Sequence, residues 1–297
     1  MPATGHPAPG ASYPALVKVL SIQSSVAYGY AGNSSAVFPL QRLGHEVWPV
    51  HTVHFSNHTG YGEWRGIVLE PQTVADVITG IEERGVLPEC DAVLSGYQGA
   101  PAVAEVVLDA VARVKSANPA AVYCADPVMG DVGRGFYVQA GIPELMRDRI
   151  VPAADILTPN QFELEYLTGS SIRSVADLLA AVETLRRQGP DTVLVTSVQT
   201  DQTPADSVQM VAVGRAGAFQ VTTPLMPLHV SGCGDATAAI FLARVMTEGV
   251  AHALSTTADS VFAIIEATHA AGTRELQLIG AQEAIAHPGG RFEARPL

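Results

Sequence analysis

The 297-residue chain is 47% hydrophobic, has only 15% charged residues and carries a formal net charge of −12. Its apolar content supports a sizeable core and excludes disorder for the bulk, while the acidic balance repels polyanions and argues against nucleic-acid binding. The three cysteines, Cys90, Cys124 and Cys233, show no C-x-x-C spacing, which argues against a disulfide framework or structural zinc and fits a reduced, cytoplasmic setting.

Residues 1–14 are rich in Pro, Gly and Ala, with neither a basic start nor a long apolar run. They read as a disordered tail, not a signal peptide or membrane span. Short apolar, β-branched runs at 17–23, 47–53, 92–97, 121–127, 155–159 and 192–198 predict strands. Helical periodicity over 73–84, 102–115 and 175–188 lies between them, the alternation of an α/β fold whose parallel sheet is covered on both faces. Two neighbouring strands at 207–213 and 218–223, joined by Gly214-Arg215-Ala216-Gly217, predict an antiparallel hairpin at the end of the sheet. Apolar helices at 236–246 and 251–271 close the chain. No linker composition interrupts it, which predicts one domain over 15–297.

Four stretches carry chemistry. Ser231-Gly232-Cys233-Gly234-Asp235 runs directly into an apolar helix, so two glycines and the helix's unpaired N–H groups form an anion site. Asp235 at its mouth suits a general base in phosphoryl transfer; the same residues also suit a tight turn with Asp235 as N-cap. The loop is neither a Walker A motif nor a dinucleotide fingerprint. Asp126 and Asp131 follow a strand end where α/β ligands bind, and their carboxylates suit Mg²⁺ or K⁺. The glycine-rich segment behind them, ending at Tyr137, reads as a mobile cover. Thr158-Pro159-Asn160-Gln161-Phe162-Glu163 turns from a strand into a helix, where Glu163 favours the positive dipole end. Thr196 and Ser197 offer hydroxyls to a phosphate or monovalent cation, and equally form turns. His51, His54 and His58 match no zinc pattern and read as ordinary loop or core histidines, with His58 at the edge of any neighbouring slot. Trp64 reads as packing or as a shield.

Ser24 in its run to Asn33, the run Phe55-Ser56-Asn57-His58-Thr59-Gly60-Tyr61-Gly62, and Leu94-Ser95-Gly96-Tyr97 together resemble the pyridoxal kinases. With the four stretches above in the same order, the resemblance covers nearly the whole chain after the tail. It implies a ribokinase-like three-layer α/β/α sandwich with a mostly parallel sheet and an antiparallel edge hairpin. The implied activity is ATP-dependent phosphorylation of the 5′-hydroxymethyl group of pyridoxal in vitamin B6 salvage, with MgATP as co-substrate, Mg²⁺ and K⁺ as cations, and a cytoplasmic homodimer. Carried over by position, Ser24 bonds the ring nitrogen, Thr59 and Gly60 meet the ring's polar groups, Tyr97 packs beside the ring, and Val53 and Phe55 form apolar walls. Asp126, Thr158, Asn160, Glu163, Thr196 and Ser197 surround the ATP phosphates, Tyr137 belongs to a lid, and Thr223, Pro224, Leu225 and Met226 flank the adenine. Asp126, Asp131, Thr158, Glu163 and Thr196 form the cation set. Asp235 is the base, touching substrate, and Gly232, Cys233 and Gly234 form the anion hole.

Two departures stand out. Cys233 occupies a place where the resemblance implies threonine or another small residue, and a thiol at a helix N-terminus is expected to have a lowered pKa and to react with aldehydes or oxidants. The proline-rich approach from Thr223 to Pro227 leaves nucleotide preference open. The alternatives are a hydroxymethylpyrimidine kinase with the same phosphate machinery, and a low-turnover pyridoxal or pyridoxal-phosphate reservoir. The loop from Asn57 to Tyr61 speaks against the first, and intact Gly232, Gly234 and Asp235 against the second.

Overall fold

The computed structural model describes residues 16–297, so the tail expected over 1–14 lies outside the described residues. The chain begins with β1 (Lys18–Val26), α1 (Asn33–Arg42), β2 (Glu46–Phe55), β3 (Gly66–Val68), α2 (Pro71–Glu82), β4 (Ala92–Ser95) and α3 (Pro101–Ala117). Next come β5 (Val122–Ala125), a small hairpin of β6 (Gly130–Asp131) and β7 (Gly135–Phe136), the short α4 (Ile142–Leu145) and α5 (Val151–Ala153), β8 (Ile156–Leu157), α6 (Gln161–Thr168) and α7 (Val175–Arg186). The last part holds β9 (Thr192–Val198), β10 (Ser207–Gly214), β11 (Gly217–Pro224), α8 (Cys233–Glu248), α9 (Val250–Ala271), α10 (Gln282–Ala286) and β12 (Arg295–Pro296).

One sheet has the order β12-β11-β10-β9-β8-β5-β4-β1-β2-β3. From β9 through β2 the strands are parallel; β10, β11 and β12 extend one edge antiparallel, and β3 the other. Strand alternation sends side chains into two cores, Val93 into one and its neighbours Ala92 and Leu94 into the other. The first core packs Ile78, Val107, Leu164 and Leu178 of α2, α3, α6 and α7 against Leu20 and Tyr123. The second packs Leu40, Phe241 and Leu254 of α1, α8 and α9 against Val19 and Leu194. Each such side chain, buried completely, stabilises the three layers by about 1.5–3 kcal/mol.

The expected parallel sheet and terminal hairpin are present. Several elements had no counterpart in the sequence reading, among them α1, β3 and the β6–β7 hairpin. α1 starts at Gly32 without a side-chain cap and contains Pro39, signals of a loop that burial of Ala36 and Leu40 overrides. β3 is three exposed residues, too short for a pattern, and β6–β7 gives the glycine-rich cover a paired core. α8 starts at Cys233 instead of 236, which puts Asp235 inside its first turn and makes Gly232 the N-cap.

Candidate active site

The strand order reverses around β1, which has β2 on one side and β4 on the other. Ligands of open α/β sheets bind at the carboxyl ends of strands beside such a switch point. Residues singled out from sequence lie at those ends: Ser24 on β1, Val53 and Phe55 on β2, Tyr97 after β4, Asp126 after β5, Thr158 after β8, Thr196 and Ser197 on β9.

Val26, Val53 and Phe55 form a small apolar cluster, with half-buried Tyr97 and Ala31 packed on it. An apolar wall of this kind suits a flat ring. Ser24 is buried where the register between β1 and β2 slips. A side chain on Gly32, at φ 53°, would collide with the Ser24 carbonyl and hydroxyl, so only glycine lets the start of α1 close on that residue. Thr59 opens a single 3₁₀ turn, Thr59–Tyr61, and is half-buried, while Gly60 is exposed. Asn57 Nδ2 closes this loop by donating to the Glu63 carbonyl at 2.9 Å. The exposed Trp64 ring stands 5.9 Å from that of Phe55.

On the other side of the crevice Asp126, Glu163 and Asp235 are all buried. Burial pushes the Asp235 carboxyl above its ordinary range, against the Gly32 N–H and its own N–H, which favour the charged form. Asp126 is raised well above the carboxylate range by burial, then by Glu163 and Asp235; the Thr158 hydroxyl, donating to Oδ1 at 3.0 Å, opposes the shift. Burial raises Glu163 to about 7 although its Oε1 accepts from the N–H groups of Met129 at 2.7 Å and Gly130 at 3.4 Å, and its Oε2 from Asn160 at 3.0 Å. The Asn160 side chain accepts in return from the Glu163 N–H at 2.9 Å, a capping box that starts α6. Asn160 also donates to the Gly130 carbonyl at 2.8 Å, tying α6 to the β6–β7 hairpin.

Among the described residues no group of three His, Cys, Asp or Glu side chains can cage a metal. The donors instead suit Mg²⁺, which takes one or two carboxylates and completes its shell with phosphate and water. Asp126 keeps Oδ2 clear of hydrogen bonds, whereas both Glu163 oxygens hold backbone N–H groups. Of the expected cation set, Asp131 stands apart: it is exposed and accepts from the Val132 N–H at 2.7 Å. Thr196 bridges to Asn160 and donates its N–H to the Pro159 carbonyl at 2.9 Å. Ser197 is exposed at φ 54°, a left-handed conformation that costs a non-glycine residue on the order of 1 kcal/mol.

Tyr137 follows β7, its N–H donating to the Met129 carbonyl at 3.0 Å and its ring 5.1 Å from the Arg134 guanidinium. Burial and the surrounding acids, Glu163 first, push its phenol above the ordinary value. Thr223 is buried at the end of β11, while Pro224 and Leu225 are exposed and the Leu225 N–H donates to the Asp206 carbonyl at 2.8 Å.

Gly232 to Asp235 run from the N-cap into the first turn of α8. Gly232 is left-handed, at φ 84°, and a side chain there would collide with the Tyr30 carbonyl; its own carbonyl accepts from Ser35 Oγ at 2.7 Å. No atom lies within 4 Å of where a Gly234 side chain would point, so that backbone is open to a ligand. The lowered pKa expected of Cys233, which is half-buried, is reversed. Burial, with Asp235 adding, pushes its thiol up to about 11, outweighing the helix end.

Sequence reasoning also missed Glu275. It is buried, and its Oε1 meets His58 Nε2 at 3.0 Å and the Tyr61 hydroxyl at 2.7 Å across more than two hundred residues of chain. No local spacing announces such a partner.

Residues 68–277 match the family model described as phosphomethylpyrimidine kinase. The chain is 58% identical over 281 residues to pyridoxal kinase PdxY of Rubrobacter xylanophilus, covering 94% of this chain and 97% of that one. It is 54% identical over 282 residues to pyridoxal kinase PdxY of Corynebacterium diphtheriae, covering 95% and 100%. The Leishmania donovani pyridoxal kinase in complex with ADP and pyridoxine superposes with a TM-score of 0.88 at 30% identity, covering 94% of this chain and 99% of that one. On identity sustained over nearly its whole length, and with a ribokinase-like fold to match, the chain belongs to the pyridoxal kinases of the phosphomethylpyrimidine kinase family.

Proposed function

We propose that the chain transfers the γ-phosphoryl group of ATP to the 5′-hydroxymethyl group of pyridoxal, giving pyridoxal 5′-phosphate and ADP. The observation that carries this reading is the pairing of a buried acid, Asp235, with an open glycine backbone in the first turn of α8. Val53, Phe55 and Tyr97 hold the ring, and Ser24, Thr59 and Gly60 meet its polar edge. Asp235 accepts the hydroxyl proton as the substrate oxygen bonds to the γ-phosphorus and the bond to the β–γ bridging oxygen breaks. Its raised affinity for a proton makes it a better base, and the N–H groups of Gly232, Cys233 and Gly234 offset charge on the moving phosphoryl group.

Asp126, Thr158, Asn160, Glu163, Thr196 and Ser197 surround the phosphates in this reading, Tyr137 covers them, and Thr223 to Met226 flank the adenine. Asp126 and Thr158, with Glu163 behind them, would hold Mg²⁺, and Thr196 would lie beside K⁺; bound there, the cations would neutralise phosphate charge. The unit is one domain over 15–297, working as a cytoplasmic homodimer; light scattering tests the dimer. The family model's description supports a second reading, transfer to hydroxymethylpyrimidine. The test of both is phosphate transfer from MgATP to pyridoxal, pyridoxine, pyridoxamine and hydroxymethylpyrimidine, with and without K⁺. Preference for pyridoxal is expected; preference for the pyrimidine favours the second reading, and transfer to none overturns both.

A further inference from the structure

Glu275, in the segment after α9, ties together two loops that border the ring slot. Its Oε2 accepts from the Tyr30 N–H at 3.0 Å, in the loop after β1, and its Oε1 meets the Tyr61 hydroxyl at 2.7 Å and His58 Nε2 at 3.0 Å, in the loop after β2. With two other donors on it, the carboxylate acts as acceptor, which assigns a proton to Nε2 and leaves Nδ1 as the ring atom turned away from Glu275. That Nδ1 is buried, on a residue only 8% exposed, and has no hydrogen-bond partner among the described residues. A Cβ on Gly60 would sit 2.9 Å from His58 Nδ1 and 3.1 Å from Ser231 Oγ. Both polar atoms therefore face one point, kept clear by the missing side chain at residue 60. Ser231 immediately precedes the loop that ends in Asp235.

We infer that His58 Nδ1 and Ser231 Oγ bind the polar substituent next to the transferred hydroxymethyl group on the vitamer ring, and that Glu275 is the positioning residue that aims His58 at it. The inference rests on the kinase reading above for the identity of the ring. With Asp235 at the 5′-hydroxyl, the group nearest the start of the same loop is the one at ring position 4: formyl in pyridoxal, hydroxymethyl in pyridoxine, aminomethyl in pyridoxamine. A histidine ring nitrogen and a serine hydroxyl between them can pair with an O–H, an N–H or a carbonyl, so the pair serves all three. A methyl at that position satisfies neither atom and leaves both unpaired.

The probe is 4-deoxypyridoxine, which differs from pyridoxine only in that methyl. Its binding and that of pyridoxine are compared by calorimetry without nucleotide, and turnover is measured with MgATP, in the full-length protein and in Ser231→Ala, Glu275→Gln and Glu275→Ala. Loss of one hydrogen-bonded pair predicts that the unaltered protein prefers pyridoxine by about tenfold. Ser231→Ala and Glu275→Ala lose that preference through KM for the vitamer, with KM for ATP unchanged, and Glu275→Gln, which keeps an acceptor oxygen, retains most of it. Equal affinity of the unaltered protein for the two compounds, or a preference that survives in Ser231→Ala, overturns the inference. Ser231→Ala decides alone should Glu275→Ala not fold. Discrimination in binding without phosphoryl transfer to any vitamer removes the kinase reading and leaves this one standing; transfer to both compounds with equal kcat/KM does the reverse.

Discussion

Two buried carboxylates in this molecule perform the same local task in different surroundings. Asp259 on α9 accepts from the N–H groups of Gly290, Arg291 at 3.1 Å and Phe292 at 2.9 Å, pinning the C-terminal segment against the helix. Glu163 on α6 likewise gathers three N–H groups, two of them in the loop that follows Asp126. Such a carboxylate ordinarily holds its charge well below neutral pH. Glu163 nevertheless rises to about 7, because burial, with Asp131 adding, outweighs three hydrogen bonds. What separates a structural pin from a site is the company: at the crevice the fold keeps three buried acids, Asp126, Glu163 and Asp235, together at a cost to each, an arrangement that favours a bound cation or a transferable proton.

The largest effect is expected at Asp235. Asp235→Asn lowers kcat by roughly 10²-fold or more, the scale of general acid–base catalysis, while vitamer binding measured by calorimetry persists. Unchanged turnover would remove Asp235 from the base role. Asp259→Ala gives the opposite signature. Losing an acceptor shared by three N–H groups lowers unfolding free energy by about 2 kcal/mol in urea titrations, with kcat per folded molecule unchanged. If Asp259→Ala reduced kcat instead, the two carboxylates would not divide as structure and site.

Much of this was legible because the informative residues are contiguous. Gly232 to Asp235, Thr158 to Glu163 and Phe55 to Tyr61 each declare a turn, a cap or a loop within a few residues, and the strand–helix alternation declared the parallel sheet. What sequence could not supply were partners distant along the chain. Glu275 meets His58, and Asp259 meets the segment from Gly290 to Phe292, through tertiary structure alone. α1 was hidden by Gly32 and Pro39, whose loop signals are overridden by packing against α8. Cys233 shows the same limit in energetics: its position at a helix end is visible in sequence, the desolvation of its thiol is not.

A subtler difference between the clamps appears as pH dependence. The folded-state pKa of Glu163 is raised from 4.5 to about 7, so the native protein binds more protons than the unfolded chain between those values. Its contribution to stability is therefore fully present below about 4.5 and is lost as pH rises through 7, with a slope of at most about 1.4 kcal/mol per pH unit. Asp126, also raised, adds in the same direction. Urea midpoints of the nucleotide-free protein across this window should fall with pH. Glu163→Gln flattens the trend; an unchanged trend in Glu163→Gln would mean that the carboxyl is already ionised at pH 5.

The smallest effect concerns Cys233, which lies beside the acids without joining their hydrogen bonds. With its thiol at about 11, the thiolate fraction at pH 7.5 is on the order of 10⁻³ or less, and nucleophilic attack needs the thiolate. Alkylation by iodoacetamide, followed by mass spectrometry of the Cys233 peptide, should therefore run far slower than that of a free thiol, with no adduct accumulating in pyridoxal. Burial raises acids and thiol alike here, so the same dry environment that makes Asp235 a stronger base keeps Cys233 inert. Rapid alkylation would show that water reaches the loop, and the argument for a raised Asp235 would weaken with it.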